Sequence, residues 1–144
     1  MNQMPPVLNN FFAALYELWG LAHMGNFSKA MYDHGVYVQI GLWMLGISLL
    51  LVLFYYYLLN HPGFIQWYHW WLMLLINVLI NSGIAYYIAA SQLYIHGVPS
   101  TSTELTIFAL INGFLWASVA FFLFAFVRKI RLPFLRTAGV NTPF

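Results

Sequence analysis

Beyond its first 34 residues the chain alternates between long apolar runs and short polar breaks. Three runs, Gly35 to Leu59, Trp67 to Tyr94 and Glu104 to Val127, each exceed the ~18 residues that a membrane-crossing helix requires. The first break is Asn60-His61-Pro62-Gly63, where Pro cannot continue a helix and Gly tolerates the turn. The second runs from Gly97 to Thr103. In it Thr101 and Glu104 have the spacing of a capping box, which starts a helix ahead of the apolar run from Leu105. Pro133 follows Arg128-Lys129-Ile130-Arg131 and closes the pattern.

Residues 7–22 show a different pattern. Leu8, Phe11, Phe12, Leu15, Leu18, Trp19 and Ala22 recur at helical spacing, while Asn9, Asn10 and Glu17 interrupt the rest. The stretch is short and contains an acid, so an interfacial or protein-docked amphipathic helix is expected in preference to a fourth span. The predicted fold is an all-α integral membrane protein with three transmembrane helices behind an N-terminal amphipathic helix. Its organisation is an N-terminal segment over 1–34, a helical membrane domain over 35–127 and a basic tail over 128–144.

Composition strengthens this reading. The 144 residues are 62% hydrophobic and 6% charged, and residues 34–103 contain no Asp, Glu, Lys or Arg, whereas a soluble domain is about one-quarter charged. The chain has room for three or four spans and for no folded soluble domain besides. The net charge of +2 comes almost entirely from the tail, so it marks orientation and not a nucleic-acid surface. Arg128, Lys129, Arg131 and Arg136 stand against Lys29 alone. The positive-inside rule then places the C-terminus in the cytoplasm, in a bacterial inner membrane. Residues 1–10 carry no Lys or Arg, so the first span is expected to act as an uncleaved signal. Tyr and Trp cluster at the ends of the runs, at Tyr32, Tyr37, Tyr55 to Tyr57, Trp67, Tyr68, Trp70, Trp71 and Tyr94, as interfacial belts do.

Candidate chemistry is sparse. Asn77 and Asn81 lie one turn apart on the second span, with Gln92 farther along the same face and Asn112 on the third. Amides in a bilayer turn toward protein or water. They either bond neighbouring helices or line an uncharged aqueous path, and interhelical bonding is the favoured expectation. Ala109, Gly113 and Ala117 repeat every four residues, a ridge that admits another helix closely, whether from this chain or another. His34 and His96 fall at matching depth at one end of the first two spans, with His23 expected nearby, and His61 and His69 flank the other end; two histidines so placed could ligate haem or copper. Interfacial hydrogen bonding is the favoured role for them, and no metal or cofactor is expected.

Other chemistries are excluded. The chain has no Cys, hence no disulfide and no thiolate. It contains neither HExxH nor GxSxG. No carboxylate or cation lies inside a run, so proton relays and voltage sensors lack their central parts. Enzyme activity is not expected. Three unlike spans also lack the matched halves of a secondary transporter. Two functions stay open: a structural or accessory subunit docked in a larger integral-membrane assembly, and a homo-oligomeric pore with an uncharged polar lining at Asn77 and Asn81. In both, the partners are the lipid bilayer and other membrane chains.

Overall fold

The computed structural model describes residues 6–18, 22–58 and 67–129, and among these the only regular elements are helices. They are α1 (Pro6–Tyr16), α2 (Asn26–Asp33), α3 (Val36–Leu53, running on into a π-helical turn at Phe54–Leu58), α4 (Trp67–Ile95) and α5 (Ser102–Lys129). Three of them are long and apolar enough to cross a membrane, over Val36–Tyr56, Tyr68–Ile95 and Ser102–Leu123. The 11 residues of α1 reach only ~16 Å, about half of a ~30 Å hydrocarbon core. The Asn60 to Gly63 turn, Arg131, Pro133 and Arg136 lie outside the described residues.

The long helices alternate in direction, and α4 and α5 pack most closely, with α3 laid across both. The capping box forms as the spacing predicts. Glu104 N donates to Thr101 Oγ1 at 3.2 Å, and Thr101 N donates back to Glu104 Oε2 at 2.9 Å. α1 docks on α3 and α5, and α2 on α3 and α4. These two helices form an arm over the start of α3 and the end of α4, here called the arm end. Helix α5 finishes at the opposite, tail end.

Helices α1 and α2 contribute to the core of the long helices. Phe12, Tyr16, Phe27 and Met31 share one buried cluster with Val36, Met44, Ala85, Phe108 and Trp116. A second cluster, containing Val52, Tyr55, Tyr56, Trp70, Met73 and Ala120, fills the tail end. The aromatics at the helix ends divide between two environments. Tyr68, Trp71 and Tyr94 are exposed, but Tyr37, Tyr55, Tyr56 and Trp70 are core residues. Their rings fill space between helices at the two ends, where large aromatics bury the most surface.

Helix α1 has no simple polar outward face. Phe12 and Tyr16 are buried, Asn9 and Asn10 turn to Tyr32 of α2, and the outward Val7, Leu8 and Phe11 are exposed. Asn9 Nδ2 donates to Tyr32 O at 2.9 Å, and the Tyr32 hydroxyl donates to Asn10 Oδ1. Docking depends on Gly41, because a Cβ at that position would fall within the Phe12 ring. Gly41→Leu should therefore cost about 1–3 kcal/mol by overpacking, read as thermal unfolding in a lipid nanodisc. The cost should shrink in a Phe12→Ala background. An equal cost in both backgrounds would remove Phe12 from that contact.

Candidate functional site

A layer of polar side chains separates the two apolar clusters. Ser48 of α3, Asn77 and Asn81 of α4 and Asn112 of α5 are all fully buried. Ser48 Oγ donates to Asn77 Oδ1 at 3.2 Å, while Asn81 Nδ2 donates to the same oxygen at 3.0 Å and to Ser48 Oγ at 3.2 Å. Asn77 Nδ2 donates across to the Trp116 carbonyl at 3.2 Å. Asn77 is thus the hub through which α3, α4 and α5 are tied together. Asn112 Nδ2 donates to Phe108 O, one turn back on its own helix, at 2.8 Å.

Helical spacing produces this layer. Residues four apart share a helix face, so Asn77 and Asn81 meet the same neighbours. Gln92 continues that face about three turns farther on, close to the arm end, and is only half-buried. It is not joined to the layer. The small-residue ridge is used inside the chain. A Cβ on Gly113 would fall against Ser82 Oγ and lie 3.0 Å from Val78 O, so this glycine lets the α4 and α5 backbones meet. Ala109 is buried beside it and Ala117 half-buried. Ser48 is a member that sequence reasoning missed. It is the only non-aromatic polar residue between Gln39 and Asn60, and that isolation was the available signal.

A second polar group sits at the arm end. Glu17 Oε1 accepts from the Tyr37 hydroxyl at 3.0 Å, and Glu17 Oε2 lies 2.8 Å from His23 Nδ1. Beside it opens a shallow cleft of about 530 Å³ lined by Glu17, His23, Asn26, Ser28, Lys29 and Tyr32. Deeper in, Trp116 Nε1 donates to the Tyr16 hydroxyl at 3.3 Å. Burial pushes the Tyr16 hydroxyl well above the ordinary phenol range, and the Trp116 bond opposes that shift, so the group stays protonated and serves as a fixed acceptor.

The two expected histidines do meet. The His34 and His96 rings stack with centroids 3.7 Å apart and planes 6° from parallel. Imidazole lone pairs lie in the ring plane, so rings stacked face to face do not aim at one ion. No group of three or more His, Cys, Asp or Glu with metal-binding geometry occurs among the described residues. His23, adjacent in expectation, pairs with Glu17 instead. Arg128 and Lys129 close α5 at the tail end.

Neither a protein-family model, nor a curated protein, nor a solved structure matches the chain.

Removing the hub should be costly. Asn77→Leu removes the acceptor of the Ser48 hydroxyl and of one Asn81 bond, and the donor to the Trp116 carbonyl, and should destabilise the bundle by roughly 1–3 kcal/mol, whereas Gln92→Leu should change stability by well under 1 kcal/mol. Steric-trapping unfolding in bilayers measures both. Equal losses would dissolve the distinction between the layer and the rest of the α4 stripe. Gly113→Leu should damage the folded chain itself, detected as a lower unfolding temperature of the isolated protein.

Proposed function

We propose that this chain is a non-catalytic structural or accessory subunit of a larger integral-membrane assembly, seated in a bacterial inner membrane with its C-terminus in the cytoplasm. The carrying observation is where the chain spends its polar and apolar groups. The Asn77 and Asn81 amides and the Ser48 hydroxyl tie α3, α4 and α5 together inside the bundle, while the outward surface carries large aromatic and aliphatic side chains. Trp43, Tyr87, Phe114 and Phe122 are 58%, 72%, 65% and 70% exposed. Within the three candidate spans only 39–44% of the most apolar window is buried. Large aromatics facing outward serve both lipid and subunit contacts, and the tail basic residues support the orientation.

The second reading is a homo-oligomeric pore with an uncharged polar lining. It draws support from the Asn81 and Asn112 side-chain oxygens, which have no hydrogen-bond partner among the described residues and would be satisfied along a water-filled path. Weak selectivity would follow from the absence of any charged ring. As folded, however, Asn77, Asn81 and Asn112 are fully enclosed by a single chain.

Native mass spectrometry of the tagged protein, extracted gently from its host membrane, separates the two. Peaks that contain other chains are the expected result. A single mass at an integer multiple of 16.7 kDa would remove the accessory reading. In that event the Asn77→Leu, Asn81→Leu double variant should lower conductance in planar bilayers, and wild-type conductance would take the stripe out of the lining.

A further inference from the structure

We infer that the polar layer holds an internal water, bound between the Asn81 and Asn112 side-chain oxygens. Both side chains are fully buried, and Asn81 Oδ1 and Asn112 Oδ1 have no hydrogen-bond partner among the described residues. Two carbonyl oxygens cannot satisfy each other, because each is an acceptor. The amide orientations are fixed by their other bonds. Turning Asn81 over would forfeit its donations to Ser48 and Asn77, and turning Asn112 over would forfeit its donation to Phe108 O.

Helix geometry turns the two side chains to the same side of the α4–α5 contact. Ser82 and Gly113 face each other across α4 and α5. These helices run antiparallel, so the residue preceding Ser82 and the residue preceding Gly113 turn to the same side of that contact. This is the side occupied by α3, where Asn81 meets Ser48 at 3.2 Å. The guest must therefore be a small donor that fits between three helices. Water donates twice, once to each oxygen. It can also accept from the Ser82 hydroxyl, which has no partner among the described residues. Three bonds to otherwise unmet groups are the usual complement of a buried water.

A cation fits less well. No Asp, Glu, Lys or Arg occurs in residues 34–103, so no carboxylate from α3 or α4 neutralises it, and Glu104 of α5 is committed to its helix cap. Alkali and alkaline-earth ions need six or more oxygens. The Asn77 oxygen already accepts two hydrogen bonds.

The test uses full-length protein in lipid bilayers, labelled with ¹⁵N-Asn, and solid-state NMR transfer from water to side-chain amides. The expected result is transfer to Asn81 and Asn112 from a slowly exchanging water, lost at Asn81 in Asn112→Leu. Absence of transfer in the wild type would mean a dry centre and overturn the inference. Fast, bulk-like transfer running from Asn77 to Gln92 would overturn it as well, as an open path. Amide shifts that follow replacement of Na⁺ and K⁺ by a large organic cation would identify an ion in place of water. Stability gives an independent sign. With water present, Asn112→Leu removes one of its anchors and lowers the unfolding temperature. With a dry pair of oxygens the same change relieves an unmet acceptor and raises it.

Discussion

Where Gly113 lies against Val78 and Ser82, α5 contributes no side chain of its own to its contact with α4, and the polar contacts of the bundle are built around that approach. In a bilayer the hydrophobic effect does not draw helices together, since lipid tails are as apolar as leucine. Close packing and interhelical hydrogen bonds are what remain. The glycine sets the backbone separation at which the Asn77 amide reaches the Trp116 carbonyl at 3.2 Å. Helix α3 then completes the arrangement through Ser48, which links to both asparagines of α4. Small residue and amide are thus parts of one device, the first allowing the reach that the second uses.

The polar layer also fixes register. Apolar helix faces of similar shape can slide past one another at modest cost, but a slipped α3 would part Ser48 from both Asn77 and Asn81. An unmet polar group in hydrocarbon costs far more than a displaced methyl. With one apolar cluster toward the arm and another toward the tail, the layer acts as an alignment mark between two cores that would accept several offsets on their own.

Much of this architecture is legible in the amino-acid sequence, because in membranes the signals are strong. The three apolar runs and their Pro and Gly breaks locate α3, α4 and α5 within a few residues of their observed ends. The Thr101 and Glu104 box falls where its spacing places it. The pairing of His34 with His96 also follows from matching depth. Periodicity alone does not reveal which way an aromatic at a helix end points. Tyr37, Tyr55, Tyr56 and Trp70 carry the same belt signal as Tyr68 and Tyr94 yet fill the core, since both environments suit a ring with a polar tip. Ser48 is a single hydroxyl in an apolar run, and it reads as incidental until its partners on α4 are placed opposite it. The destination of α1 depends on Phe12 finding Gly41, a long-range fit that no local pattern encodes.

That fit has a bearing on how the molecule is made. The arm precedes α3 in the chain, yet Tyr16 rests on surfaces supplied far along it: its hydroxyl receives a bond from Trp116, 100 residues later. Tyr16 therefore has no complete seat until α5 lies beside α3. Without α5 that ring would stand uncovered on one side. The arm is a clasp over the bundle, and it can hold only when all three long helices are in place.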